Sequence, residues 1–305
     1  MNCYHTVLKS TSNCKRMATI PNQRIKQMKD DHLFHIGINV PKDDVSKLFG
    51  DVKFVCMGGS AKRMAAYARL MEERLTAEGQ EPYNYAQSTD RYVLYKVGQV
   101  LFVNHGIGIP SLSTVLQEIG KLLFHAGCSD VTFFRLGTSG GIGLDPGTVI
   151  ISEKVVNWEL QQQWNLPVLG KMVHNPAVPN KEIYSKLKAI ADSLSLPNCL
   201  GTTMCCDDFY EGQGRLDGPF SSFSDEDRDA YLQHLQDKGV TNMEMESVGF
   251  VALCNKMNIP CAVICVTVVD RLKGDQITAD HDHILQWEKR PIQIFFEYMK
   301  KHHLK

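Results

Sequence analysis

Apolar runs that stop at glycine-rich polar turns, alternating with segments of helical period, constrain this chain more than anything else in it. Residues 52–57 form a short apolar run, interrupted only by Lys53, that ends at Gly58-Gly59, after which residues 61–77 repeat apolar side chains at helical spacing. Residues 92–97 and 100–104 read as two strands joined at Gly98-Gln99. Across residues 111–126, Leu112, Val115, Leu116, Ile119, Leu122 and Leu123 recur three and four apart, the period of a helix with one buried face. Pro110 and Ser111 suit its start. Residues 131–136 and 148–156 read as buried strands. The second half continues with helices over 181–194 and 225–236, the latter acidic at its start as the helix dipole favours. A helix over 246–256, entered from a turn-like Thr241-Asn242, precedes a strand over 261–268 and a closing amphipathic helix over 283–303. Such alternation predicts a layered α/β fold with helices on both faces of a sheet. With no repeat and no linker rich in Pro, Gly or Ser, residues 30–305 are expected to form a single domain and residues 1–29 a disordered N-terminal tail.

Charge and cysteine usage narrow the function classes. The formal net charge is -1, so no broad basic footprint for nucleic acid is present, although a local arginine cluster can still hold a small anion. No apolar run approaches the roughly 20 residues that span a bilayer, and no membrane partner is expected. The 10 cysteines are scattered without a CxxC pair, which reads as reduced thiols in a cytoplasmic protein. His281, His283, His302 and His303 form no convincing ligand set, so no metal is expected.

Three strand ends combine glycine with polar residues: the turns at Gly58-Gly59-Ser60-Ala61-Lys62-Arg63 and Arg135-Leu136-Gly137-Thr138-Ser139-Gly140-Gly141, and Val269-Asp270-Arg271. Ligands of open α/β sheets bind at the carboxyl ends of strands, and glycine lets backbone N–H groups approach an anion. Arg135 closes an almost wholly apolar strand, where a guanidinium needs a partner. A phosphate suits it, and a structural Arg–carboxylate pair suits it equally. Gly137-Thr138-Ser139-Gly140-Gly141 has the form of a nucleophile elbow, but no helix follows, which argues against a serine hydrolase. His105-Gly106-Ile107-Gly108 reads as a tight turn into a helix. In residues 208–217, Gln213 and Arg215 stand two apart and point the same way if the segment is extended. An amide and a guanidinium so placed match the O2, N3–H and O4 edge of uracil, though an ordinary solvated loop has the same composition. Residues 242–247 hold two glutamates at a helix start; capping accounts for one, and the other can accept from vicinal sugar hydroxyls.

The fragments FGDVKFVCMGGSAKRM, STDRY, HGIGIPS, RLGTSGGIGLDPGTV, TMCCDDFYEGQGRLDG, NMEMES and VTVVDRLKGDQI, in this order, resemble the animal-type uridine phosphorylases of the nucleoside phosphorylase family. The likeness runs from about residue 30 to residue 291. It implies a three-layer α/β/α sandwich with a central mixed β-sheet. It implies phosphorolysis of uridine to uracil and ribose 1-phosphate, with inorganic phosphate as co-substrate and no cofactor. Gly59, Arg63, Arg135 and Thr138 would cradle phosphate, with Thr138 also near the ribose. Arg91 would reach the phosphate, and His35 the ribose 5′-hydroxyl, from the neighbouring subunit of a homodimer. Met245 and Glu246 would hold the ribose 2′ and 3′ hydroxyls. Phe209 would stack near the base, Gln213 and Arg215 would read it, and Val268, Val269 and Ile277 would wall its pocket with Arg271 behind. Arg135, Arg215, Gln213 and Glu246 would carry the catalysis.

Asp270 lies where purine-cleaving relatives place an acid, which keeps a purine-directed enzyme in view. A hydrolase of the same fold also stays in view, although it would not need arginines around a phosphate. So does a non-catalytic protein that binds a nucleoside without converting it. Residues 157–173 match nothing in the family pattern.

Overall fold

The computed structural model describes residues 20–28, 30–40, 42–75 and 80–303. Residues 1–19 and 29 of the expected tail, and residues 76–77 of the helix expected from residue 61, lie outside that set. Gln23–Gln27, counted with the tail from sequence, form a short helix, α1, capped by Asn22.

A small antiparallel pair, β1 (Asp31–Leu33) and β2 (Ile38–Val40), comes first. The main sheet then takes β3 (Phe54–Gly58), β4 (Leu94–Val97), β5 (Val100–Asn104), β6 (Thr132–Gly141) and β7 (Val149–Val156). A separate hairpin, β8 (Gln163–Val168) and β9 (Lys171–Pro176), fills the stretch that sequence left unread. The sheet is completed by β10 (Asn198–Cys205), β11 (Val240–Glu244) and β12 (Cys261–Asp270). Its order is β11-β10-β7-β12-β6-β3-β5-β4, and it mixes parallel pairs such as β3–β6 and β6–β12 with antiparallel ones such as β7–β12.

Both faces of this sheet are covered, which explains why its central strands are apolar throughout rather than alternating. In β3, Phe54 and Cys56 join one core while Val55 and Met57 join the other. The first core is closed by α3 (Ala61–Leu75), α5 (Lys181–Ser193) and α8 (His281–His303). The second is closed by α2 (Val45–Phe49), α4 (Gly108–His125) and α7 (Ser247–Lys256). The chain is thus the expected three-layer α/β/α sandwich. Asp225–Asp237 form α6, whose acidic first turn sits behind a Ser224–Asp227 capping box and whose Leu232 and Leu235 pack on β11. Among the described residues no helix is long and apolar enough to cross a membrane.

Two sequence expectations need correction here, and both corrections shape the site. The Gly137–Gly141 stretch is not a turn: β6 continues to Gly141, paired in parallel with β12. Thr241 and Asn242 likewise lie within β11. The physical reason is a closure of the sheet. Besides β10, β11 pairs antiparallel with the end of β6, Asn242 against Gly141 and Met243 against Gly140. Glycine serves that crowded corner because a Cβ at Gly140 would stand 2.9 Å from Cγ of Arg271. A buried polar chain locks it: Asn242 Nδ2 donates to Ser139 Oγ (2.9 Å), and Thr203 Oγ1 donates to Asn242 Oδ1 (2.9 Å).

Candidate active site

A cavity of about 370 Å³ opens where the carboxyl ends of β3, β6, β11 and β12 converge. The β3–α3 junction brings Gly59, Ser60 and Arg63 to it, and β6 brings Arg135 and Thr138. From the β11–α7 junction come Met245 and Glu246, with Glu244 beside them. Val268 and Val269 form a wall, and the loops after β10 and β12 add Phe209, Gln213, Arg215 and Ile277. Residues spread over more than 200 positions of sequence meet in one space, as ligand sites of open α/β sheets do.

Arg135 is nearly fully buried, and the carboxylate pair is the partner that the structure gives it. Its Nη2 is 2.6 Å from Glu244 Oε2 and also bonds Glu246 Oε2, while Nη1 donates to Cys265 Sγ at 3.2 Å. It is therefore a carboxylate-paired arginine, and it also lines the cavity. Burial works against its charge, but Glu244 and Glu246 outweigh burial and raise its pKa. Of the two glutamates, one caps the helix start, as the sequence allowed, and the other does not. Glu244 accepts from the backbone N–H of Glu246 (2.9 Å) and Ser247 (2.9 Å), capping α7. Glu246 accepts from Gly108 N–H at 2.6 Å and faces the cavity. Burial and the neighbouring carboxylate push Glu244 up despite Arg135. For Glu246 burial acts upward too, but Arg135 and the Gly108 amide outweigh it and hold it below the usual range. His105, beneath them, is driven by burial to about 4 and is neutral at pH 7. On the other flank, Arg63 pairs with Glu288 of α8 through Nη2.

On the loop after β10, the guanidinium of Arg215 stacks 4.1 Å from the centroid of Phe209, and its Nη1 donates to the carbonyl of Asp275 at 2.8 Å. The segment that carries it is not extended, contrary to the sequence expectation. Glu211–Gln213 form a 3-10 turn and Gly214 is left-handed (φ 61). Gln213 and Arg215 still both line the cavity, because the turn is held from below. Arg271 does that holding: fully buried and absent from the cavity wall, it donates from Nη2 to the Gln213 carbonyl (2.9 Å) and pairs with Asp275 (2.9 Å). Burial, then repulsion from Arg215, lower its pKa. Asp270 is turned elsewhere, accepting from Gly143 N–H (3.0 Å) and Leu272 N–H (3.2 Å) outside the cavity.

Two further residues singled out from sequence are not in the cavity. His35 and Arg91 share a separate surface groove of about 370 Å³. The His35 ring is fixed by Glu118, 2.7 Å from Nδ1, and Arg91 is largely exposed. Sequence gives Ser60 and His105 only as parts of glycine-rich stretches and Ser139 only as the serine of an elbow-like motif, and it gives no sign of Glu288, which lies on the closing helix and is brought to Arg63 by the fold alone.

The family profile described as "Phosphorylase superfamily" matches residues 53–300, so the chain belongs to the phosphorylase superfamily. Within it the likeness is to uridine phosphorylases. "Uridine phosphorylase 1" of Mus musculus is 41% identical over 92% of this chain and 92% of the relative. The crystal structure of uridine phosphorylase from Schistosoma mansoni in complex with thymidine superposes with a TM-score of 0.89 and 41% identity, covering 93% of this chain and 98% of that one. "Inactive uridine phosphorylase B" of Schistosoma mansoni is 40% identical over 93% of this chain and 98% of the relative. Identity at this level is therefore shared by a relative named inactive.

Proposed function

We propose that the protein cleaves uridine with inorganic phosphate, giving uracil and ribose 1-phosphate. The observation that carries this reading is that one cavity gathers three kinds of polar group. Arg63, Arg135 and Thr138 come from the β3–α3 junction and β6, Met245 and Glu246 from the β11–α7 junction, and Gln213, Arg215 and Phe209 from the loop after β10. An oxyanion, a sugar and a pyrimidine suit those three sets. As the C1′–N1 bond lengthens, the sugar gains oxocarbenium character and the base gains negative charge. Phosphate held by the arginines attacks C1′ and its charge stabilises the sugar. Glu246 accepts from the ribose hydroxyls. Gln213 and Arg215 donate to the uracil oxygens that take up charge, so the base leaves without a strong general acid. No cofactor beyond phosphate is needed. The position of Asp270, spent on backbone amides, speaks against protonation of a purine there.

The same reading assigns two subunits to each site. His35 and Arg91 lie together in one outer groove, as a two-fold pair of copies would need in order to exchange them. A cytoplasmic setting is supported by free thiols at every described cysteine.

Incubation with uridine, thymidine and inosine, each with and without phosphate and all in EDTA, tests the reaction. Uracil is expected only when phosphate is present; hypoxanthine as the main product, or uracil without phosphate, would overturn the assignment. Arg63→Ala is expected to raise the phosphate KM by about tenfold or more, since a charge-assisted hydrogen bond contributes ~1.5–3 kcal/mol, while the uridine KM moves much less. Gly137→Ala probes Arg135 without changing it. A Cβ at Gly137 would stand 2.0 Å from Arg135 Nη1, the end of a flexible side chain. The guanidinium has to move away from Glu244 and Glu246, so initial rates are expected to show a phosphate KM raised about tenfold, with a melting temperature lowered but by less than in a variant that removes the charge.

A further inference from the structure

The charges around Arg63 and Arg135 do not add up to an anion site. Two guanidiniums face it, and three carboxylates already pair with them: Glu288 with Arg63, and Glu244 and Glu246 with Arg135. Admitting a dianion adds further negative charge to a space where Arg135, Glu244 and Glu246 are each almost completely buried. An Arg91 contributed by a second subunit, as proposed above, would bring the cations level with the carboxylates but would not neutralise the incoming phosphate.

We propose that Glu244 takes up a proton when the oxyanion binds, acting as a positioning residue that keeps Arg135 in place while giving up its own claim on the guanidinium charge. The inference rests on reading Arg63 and Arg135 as the phosphate site. Of the three carboxylates, Glu244 is the one placed for this. Glu246 faces the cavity, where it is needed ionised to accept from the sugar, and Glu288 is partly solvated on α8. Glu244 also borders the cavity but is the more buried of the pair, its side chain 2% exposed against 8% for Glu246. The backbone N–H groups of Glu246 (2.9 Å) and Ser247 (3.0 Å) both reach its Oε2, so a proton on Oε1 leaves both satisfied.

The groups facing Glu244 leave no better acceptor. From β6 it meets Arg135, and from its own junction Glu246 and Ser247. From β10 come Cys205 and Cys206, both pushed up by burial, and from β12 Cys265, pushed up by burial to about 12. These thiols are already protonated and cannot take the proton. His105, at the end of β5, is neutral with a pKa of about 4, held there by burial. The packing of α6 on β11 is apolar, through Leu232 and Leu235. Burial already raises Glu244, and a bound anion acts in the same direction.

The sign follows from linkage. An anion on Arg135 raises the proton affinity of Glu244, so binding takes up protons between the free and the bound pKa, and the anion binds more weakly as pH rises through that window. Sulfate is the probe, because it carries no exchangeable proton near neutrality. Calorimetric titrations of the whole protein with sulfate, in two buffers of different ionisation enthalpy at each pH from about 6 to 9, are expected to show uptake approaching one proton per site. Affinity is expected to fall by up to about tenfold per pH unit in the same window. Infrared difference spectra of the wild-type protein should gain a protonated-carboxyl band on sulfate binding. Glu244→Gln keeps the capping oxygen and is expected to bind sulfate more tightly, with little proton uptake and a flat pH dependence. Sulfate binding with no proton uptake anywhere in that range, with no carboxyl band, or with undiminished uptake in Glu244→Gln would overturn this inference while leaving phosphorolysis standing. Failure of both sulfate and phosphate to bind would instead remove the phosphate site itself, and this inference with it.

Discussion

Replacing Arg215 by alanine is expected to lower kcat/KM for uridine by roughly 10²–10³-fold, the usual loss when one donor to developing charge is removed. The phosphate KM should change far less, because Arg215 is held by Phe209 and Asp275 and shares no partner with Arg63 or Arg135. The expectation is strong because this guanidinium is preorganised. Its plane is stacked on Phe209, one N–H is tied to the Asp275 carbonyl, and its Nε is buried without a partner among the described residues. Such a group meets charge on a leaving pyrimidine without having to reorganise. Lysine should not rescue it, since a point charge on a flexible stem reproduces neither the stack nor the fork. Initial-rate kinetics on wild type, Arg215→Ala and Arg215→Lys would check this. Near-normal uridine turnover by the alanine variant would remove Arg215 from the mechanism.

What sequence could and could not supply follows from range. Strands and helices are legible wherever their signal is local. The apolar run at residues 52–57 and the three- and four-residue spacing in residues 111–126 correspond to β3 and α4 with small shifts at the ends. Gly137–Gly141 misleads because glycine is punctuation in most chains. Here it instead allows β11 to close on β6 and leaves room for the side chains of Arg135 and Arg271. Gln213 and Arg215 reach the same cavity by a geometry other than the expected one, since a buried arginine from β12 pins the turn. The placing of Arg63 against Glu288 has no sequence signature, because 225 positions separate them and neither context is unusual for a surface residue. Arg135 is the instructive case: its apolar surroundings correctly demand a partner. Carboxylates meet that demand, and they hold the side chain at the wall of the cavity, so pairing with them does not remove it from the site.

That dual role makes Arg135 the residue whose loss should cost the fold most. Arg135→Met keeps the apolar stem and removes the charge, leaving Glu244 and Glu246 buried without their cation. Breaking a buried ion pair from one side costs about 3–5 kcal/mol, enough to consume much of a typical domain's stability. The loss should depend on pH with a definite sign. In the variant, burial and mutual repulsion raise the folded-state pKa of the glutamate pair above the ordinary unfolded value near 4.3. Between those values the native state binds more protons than the unfolded state, so stability is retained at low pH and lost as pH rises through the folded pKa. Urea unfolding of wild type and Arg135→Met at a series of pH values from about 5 to 8 isolates the effect, because all other titrating groups are common to both. The gap between the two proteins is expected to widen with pH by up to about 1.4 kcal/mol per unit for each carboxylate involved. Parallel curves would mean that Glu244 and Glu246 do not depend on Arg135 for their charge, and the electrostatic account of this site would have to be abandoned.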